Sequence, residues 1–306
     1  MSQAVRFDHY GPADVLEVVQ VERPALQSDQ VLVEVVATSI NPGEIAIREG
    51  KMTPATFPSG QGSDLAGRIV EVGAEAGDWK VGDEVIGWTD ERAAQAELVA
   101  VPADQLTARP PSVPWEQAGA LYVAGGTARG MADIVPTQSG ETAVVFAAAG
   151  GVGSILTQLL VKNGVRVLAV AGPSNDEWLH SVGAVPVNHG DGLEERLREA
   201  APDGLDTAYD AFGGGYAELA LKLGIATDRV VTIIDFDAAE RLGVKTVFGY
   251  QVTSAGMLAE LAALILAGEL TIPVAATFPL DQVREAYTQL AERHTRGKIV
   301  LLVSPH

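Results

Sequence analysis

The sequence predicts an α/β protein in which a doubly wound parallel sheet accompanies a mostly antiparallel β domain. Three observations carry this. From residue 142 onward, strand and helix patterns alternate. The first hundred residues instead hold short Val- and Ile-rich runs broken by Gly and Pro, with no long helical period. A glycine-rich turn joins the first strand of the alternating part to its helix. A length of 306 residues fits two domains.

Residues 31–37, 67–72, 83–87 and 97–101 read as strands of a compact, barrel-like β domain. Pro110, Pro111 and Pro114 then punctuate the chain, and helical patterns begin at Trp115. Residues 142–146 form a buried-type strand. Residues 151–163 place Val152, Ile155, Leu156, Leu159 and Leu160 on one helical face. Strands follow at 166–171, 185–188, 207–211 and 229–233, with helices at 175–182, 193–200 and 216–223 between them. Residues 245–249 offer a sixth strand. Repeated strand–helix units imply a parallel sheet covered on both faces. The chain ends with a helix from 256 to 267, an extended run over 272–278, a helix over 280–293 and a strand over 298–303.

Composition narrows the function. There are 21 Lys and Arg against 40 Asp and Glu, a net charge of −19. Such a field repels phosphate backbones and anionic headgroups, so neither nucleic acid nor a membrane surface is expected as a partner. A small anion can still be held by backbone N–H groups. Cys is absent, which removes disulfides, thiolate catalysis and Cys-ligated zinc. No signal peptide is read at the start and no apolar run nears the ~20 residues of a membrane span, so a cytoplasmic protein is expected.

The most specific local signal is Ala147-Ala148-Ala149-Gly150-Gly151-Val152-Gly153, after a strand and opening a helix. Read as A-x-G-x-x-G, Ala148 permits the tight turn and Gly150 lets backbone approach a pyrophosphate. Gly153 allows close helix–strand packing, and the phosphates sit at the helix N-terminus. Dinucleotide binding is therefore expected at Ala149, Gly150, Gly151, Val152 and Gly153. At the end of the second strand an acid would bind a ribose 2′-OH and repel a 2′-phosphate. Gly172 stands there, followed by Ser174 and Asn175, which can donate to a phosphate, although Asp176 and Glu177 are close. NADPH is expected over NADH. Ser174 as the N-cap of the next helix is the alternative.

With its other motifs the chain resembles the zinc-independent quinone oxidoreductase branch of the medium-chain dehydrogenase/reductase superfamily. The motifs are Asn41-Pro42 with Arg48-Glu49-Gly50, residues 62–67 (GSDLAG), 80–85 (KVGDEV), 101–104 (VPAD), 125–128 (GGTA), 150–153 (GGVG), 278–280 (FPL) and 294–301 (HTRGKIVL). The resemblance implies a GroES-like catalytic domain from residues 1–118 plus 257–306, and a Rossmann domain over 119–256. It implies a nicotinamide in the cleft between them, contacts from Asn41, Thr127 and Lys298 to the cofactor, and a homodimer joined through the outer edge of the Rossmann sheet. An Asn-Pro turn for Asn41 and a helix N-cap for Thr127 are the structural alternatives.

Zinc-dependent relatives place Cys, His and Cys on the metal. Asn41, Ser63 and Ala124 correspond here, and none suits Zn²⁺. His9, His180, His189, His294 and His306 form no spaced pair and read as surface or loop residues. No zinc is expected. Without a Lewis acid, a conjugated acceptor is easier to reduce than an isolated carbonyl, so a quinone or enone substrate is expected. Asn41, Ser63 and Tyr122 are the catalytic candidates, the last two as proton donors. An enoyl-thioester or biosynthetic enone reductase, or a non-catalytic NADP-binding protein, are the other readings. Glu44 is followed by Ile45 and Ala46, so an aromatic or basic neighbour found in the family is expected to be missing. Asp64 and Arg48 are expected to form an ion pair.

Overall fold

A strand such as β3 (Gln30–Ser39) forms where β-branched residues outnumber polar ones, and here nearly every side chain is buried. The structure is a computed structural model and describes residues 1–304, so His306 lies outside the described residues. Its contacts divide the chain into two compact units. One comprises Met1–Val123, Ser254–Gly268 and the segment from Ile272 onward; the other comprises Ala124–Thr253 and Glu269–Thr271.

In the first unit, β1 (Ser2–Phe7) pairs antiparallel with β2 (Glu17–Val21). After β3, helix α1 (Pro42–Arg48) starts with Asn41 as N-cap and Pro42 in its first turn. The Glu44 carboxylate reaches back to accept the Asn41 backbone N–H at 3.0 Å. This short helix interrupts a stretch that reads as strands alone. The chain continues through β4 (Ser59–Gly60), which pairs with β1, then β5 (Asp64–Val72), β6 (Glu84–Trp88), β7 (Leu98–Pro102) and β8 (Leu106–Ala108). Strands β3, β5, β6 and β8 form an antiparallel run, with β7 on β3. Val35 lies opposite Gly67, where a Cβ would stand 2.2 Å from the Glu34 carbonyl oxygen, so the bare glycine sets this pairing. Val31, Val33, Val35, Leu65, Ile69, Val85, Val99 and Val101 fill the core beneath. Helix α2 (Trp115–Ala118) packs on β3, and α3 (Tyr122–Ile134) follows.

The second unit is built on six parallel strands. These are β9 (Thr142–Phe146), β10 (Arg166–Ala171), β11 (Val185–Asn188), β12 (Thr207–Asp210), β13 (Val230–Thr232) and β14 (Lys245–Thr246). Their order across the sheet is β11-β10-β9-β12-β13-β14, the doubly wound arrangement that reverses beside β9 and places ligands at the carboxyl ends of the strands. The helices between them are α4 (Gly151–Lys162), α5 (Asp176–Ser181), α6 (Leu193–Ala200), α7 (Tyr216–Lys222) and α8 (Phe236–Leu242). Val144, Phe146, Leu168, Val170, Leu197 and Val230 make one core with them. Helix α8 carries no long apolar period. It is delimited by Asp235, whose side chain accepts from Ala238 N–H, and by Gly243 at φ +72°.

After α9 (Gly249–Val252), α10 (Ala255–Leu266) returns the chain to the first unit. There β15 (Val274–Pro279), α11 (Val283–Ala291) and β16 (Lys298–Leu302) complete it. Strand β16 lies between β15 and β3, so the chain's last strand joins the sheet begun by its first forty residues. No helix among the described residues is long and apolar enough to cross a membrane.

Candidate functional site

The glycine-rich turn works through three backbone positions. Ala147 sits at φ +58°, folding the chain sharply out of β9. Gly153 touches that fold: a Cβ on it would lie 2.1 Å from the Ala147 carbonyl oxygen and 2.9 Å from Ala148 Cα. Gly150, the residue before α4, has extended backbone. A Cβ there would meet only Ala147, its oxygen at 3.3 Å and its Cβ at 4.0 Å. Beyond that the space is open. The N–H groups of Gly151, Val152 and Gly153 belong to the first turn of α4 and have no carbonyl within the helix. An open glycine beneath unpaired N–H donors at the carboxyl end of a central strand fits a pyrophosphate.

At the end of β10, Gly172 leads into a tight 3₁₀ turn, Pro173–Asn175. Ser174 is exposed, and the N-cap of α5 is Asn175, not Ser174. The Asn175 side-chain amide turns back and donates to the Gly172 carbonyl at 3.3 Å. Asp176 accepts from Asn188 Nδ2 at 3.5 Å. Thr127 lies within α3, several residues past its start, so it is no N-cap. It is buried beside Gly249, where a Cβ would stand 2.4 Å from Thr127 Oγ1.

In the first unit the side chains meet around Asn41, which is buried where β3 passes into α1. Asn41 Nδ2 donates to Asp64 Oδ2 at 2.7 Å and to Glu44 Oε1 at 3.3 Å. Lys298 Nζ donates to Asn41 Oδ1, and to the Ile40 carbonyl at 3.2 Å. Every polar atom of the Asn41 side chain is thus held by protein, and two buried carboxylates and a buried ammonium share it. Asp64 also accepts from Ser39 Oγ at 2.9 Å and from Val123 N–H at 2.8 Å.

The Glu44 side chain takes the Tyr287 hydroxyl at 2.6 Å. Tyr287 in turn accepts from Gln95 Nε2 at 2.7 Å and Gln61 Nε2 at 3.0 Å. Burial raises the Glu44 carboxyl, with nearby Asp64 adding to the rise, and the bonds from Tyr287 and Asn41 oppose it. Burial likewise lowers the Lys298 ammonium against the pull of Asp64 and Glu44. Glu44 thus meets an aromatic hydroxyl from α11, and Asn41 an ammonium from β16.

Arg48 does not pair with Asp64. Its guanidinium lies 4.7 Å from the centre of the Tyr287 ring and donates through Nε to the Gly11 carbonyl at 3.3 Å, while the buried Nη1 has no partner. Asp64 is already saturated by neutral donors, which leaves the cation to the aromatic face. Tyr122 stacks on Trp88, ring centres 4.9 Å apart and planes 3° from parallel. Burial, with Asp90 and Asp64 nearby, pushes its hydroxyl far up, so it keeps its proton at neutral pH. Ser63 is half-buried at the head of β5, and its carbonyl accepts Thr89 N–H at 3.0 Å.

A zinc ion does not suit the corresponding positions. Asn41 is fully engaged, Ser63 offers a neutral hydroxyl and Ala124 offers nothing. The described residues contain no group of three His, Asp or Glu able to hold a metal. Sequence reasoning did not bring Tyr287, Gln61 or Gln95 into this cluster; His189, read as a surface or loop histidine, is exposed just past β11 and flanks Gly172.

A β unit closed by both ends of the chain, together with a doubly wound unit bearing an open glycine turn, defines a two-domain nucleotide-dependent dehydrogenase or reductase. Comparison with known proteins narrows this. Residues 27–112 match the alcohol dehydrogenase GroES-like domain, and residues 187–301 match the zinc-binding dehydrogenase family. The chain is 31% identical to a chloroplastic NADPH-dependent alkenal/one oxidoreductase of Arabidopsis thaliana, over 98% of this chain and 79% of that protein. It is 32% identical to a 2-methylene-furan-3-one reductase of Solanum lycopersicum, over 98% of this chain and 78% of that one. Among solved structures, the quinone oxidoreductase from Coxiella burnetii superimposes with a TM-score of 0.90 at 26% identity, over 99% of both chains. The chain belongs to the medium-chain dehydrogenase/reductase superfamily, in its quinone oxidoreductase branch.

Proposed function

We propose that the protein is an NADPH-dependent reductase of quinones or α,β-unsaturated carbonyls that works without a metal. The observation that carries it is the open backbone over Gly150 at the N-terminus of α4, with glycine at position 172 where an acid would repel a 2′-phosphate. The names of the relatives support the substrate class, since alkenals, alkenones and a methylene-furanone all carry a carbon–carbon double bond conjugated to a carbonyl.

NADPH supplies the hydride when bound. The chain's residues bind and orient. The first-turn N–H groups of α4 hold the diphosphate, and Ser174 offers its hydroxyl to the 2′-phosphate. In the first unit, the Lys298 ammonium is spent on Asn41 Oδ1 and the Ile40 carbonyl. It is not a free counter-charge for an isolated alkoxide. Tyr122 keeps its proton and so acts as a hydrogen-bond donor to a carbonyl oxygen. One good oxyanion contact is worth about 2.7–4 kcal/mol, and a conjugated acceptor, which spreads its charge, needs less of it. By the family resemblance the protein also assembles as a homodimer, which sedimentation would show.

The test is an acceptor panel followed by absorbance at the nicotinamide band, pairing each enone with its saturated ketone. NADPH-dependent reduction of the enone, with little or none of the ketone, is expected. Equal rates would sink the mechanistic argument. Dialysis against a strong chelator should leave the rate unchanged, and activity lost and then restored by Zn²⁺ would overturn metal independence.

A further inference from the structure

Asp64 and Trp88 lie opposite one another across β5 and β6, so their side chains leave the same face of the sheet. Two consecutive residues at the head of α3 receive them. Asp64 Oδ1 accepts the Val123 N–H at 2.8 Å, and the Trp88 indole stacks on the Tyr122 phenol with the planes 3° from parallel. One cross-strand pair thus grips the backbone of α3 with a carboxylate and its first side chain with an aromatic face. Tyr122 is 5% exposed and Trp88 9%, so close packing leaves the phenol no room to swing off the indole. The second oxygen of Asp64 holds Asn41 Nδ2 at 2.7 Å. The phenol and the Asn41 amide are therefore set from one carboxylate.

The hydroxyl at the end of this ring has no task within the protein. Among the described residues none hydrogen-bonds to it. The acids that face it are Asp90 and Asp64. Asp64 is filled by Ser39, Asn41 and Val123, and Asp90 accepts from Gln105 Nε2 at 2.6 Å. A phenol O–H left unclaimed, on a ring that cannot turn, is a donor held ready for an oxygen from outside.

We infer that Trp88 is a positioning residue for the Tyr122 hydroxyl, and that the pair sets the preference for enones over quinones as acceptors. This rests on the reductase reading above. Hydride arrival at the β-carbon of an enone forms a C–H bond, breaks the C=C π bond and moves charge onto the carbonyl oxygen. Water then supplies the proton at the α-carbon. That charge is concentrated on one oxygen, which a fixed donor stabilises. A quinone that takes a hydride becomes a hydroquinone monoanion, whose charge spreads into a new aromatic ring, and water protonates it. Its need for the phenol is smaller. An aromatic stack favours one ring orientation by about two- to tenfold, so Trp88 governs how often the hydroxyl is in place.

The experiment uses the full chain with NADPH and two acceptors of similar size, cyclohexenone and p-benzoquinone. Single-turnover loss of the nicotinamide absorbance reads the chemical step without product release, and the uncatalysed quinone rate is subtracted. Tyr122→Phe keeps the stacked ring and removes one oxygen. It should slow the enone about 100-fold and the quinone about threefold. Trp88→Leu should slow the enone about tenfold, and less than about twofold further once Tyr122→Phe is present. Trp88→Phe should give a smaller loss, about threefold, that also vanishes beside Tyr122→Phe, so the cycle stands if Trp88→Leu does not fold. Equal losses with and without the Tyr122 hydroxyl, or equal losses on the two acceptors, would make Trp88 a packing residue only and overturn the inference, with the reductase reading intact. A wild type that binds NADPH and reduces neither acceptor would overturn both.

Discussion

Gly150 and Gly153 lie three residues apart, and opposite consequences are expected from filling them. At Gly153 a methyl group would stand 2.1 Å from the Ala147 carbonyl oxygen and 2.8 Å from its carbon, both backbone atoms that cannot rotate away. Ordinary contact begins at 3.4 Å. Either α4 or the turn must move by about 1 Å, an overpacking that costs about 3 kcal/mol. For a protein of this size, Gly153→Ala should lower Tm by about 6–12 °C. At Gly150 the backbone is extended, a conformation a β-branched residue adopts readily, and the nearest contact is the Ala147 oxygen at 3.3 Å. Relief there needs a few tenths of an ångström. Gly150→Val should therefore melt within about 3 °C of wild type, a change below about 1 kcal/mol. Yet its side chain fills the space left for a pyrophosphate, and NADPH affinity should fall at least about 100-fold, or about 2.7 kcal/mol. Differential scanning fluorimetry and titration of NADPH fluorescence read the two effects separately. A folded Gly150→Val that binds NADPH as wild type does, or a Gly153→Ala with unchanged Tm, would refute the reasoning.

Three further outcomes are expected. Tyr287→Phe leaves the Glu44 carboxylate and the amides of Gln61 and Gln95 short of a buried partner, and should cost about 2 kcal/mol in urea denaturation; a loss under about 0.5 kcal/mol would contradict it. The Glu44 carboxyl is raised in the folded state, so on acidification the folded protein takes up its proton before the unfolded chain does, and wild type gains stability relative to Glu44→Gln as pH falls toward the ordinary carboxylate value. A stability difference that stays constant from pH 7.5 to about 5 would show that Glu44 is not buried as described. Gly172→Asp sets a carboxylate beside His189 Nε2 and should raise the KM for NADPH at least about tenfold more than that for NADH, as steady-state rates with each cofactor would reveal.

The doubly wound sheet was legible because its strands β9 to β11 are short Val- or Ala-rich runs, each followed by a helical period, and because residues 147–153 carry their chemistry within one turn. The cluster around Asn41 was not. Glu44 and Tyr287 are 243 positions apart, and nothing in the periodicity of α11 marks Tyr287 as the residue that reaches inward with a hydroxyl. Arg48 and Asp64 looked complementary by charge, but three neutral donors already satisfy the acid. The pairing of His189 with Gly172 depends on the register of β10 against β11, and parallel strands joined through a helix carry no turn that declares it. Helix α8 escaped notice because Phe236–Leu242 carries no long apolar period and its ends are set by the Asp235 cap and by Gly243.

The seat of β16 between β15 and β3 has a consequence for how the chain is made. Residues 124–253 emerge from the ribosome as an almost unbroken block, and all six strands of their sheet are then available to one another. The first unit is synthesised earlier yet finishes later. Until residues 298–302 are exposed, β3 keeps an unpaired edge along Ala37–Ser39, Asn41 lacks its ammonium and Glu44 lacks its phenol. Nascent chains of increasing length should thus become protease-resistant in the central block first, while the sheet around β3, although made earlier, stays open to chaperones and to aberrant strand pairing until residues 298–302 have emerged.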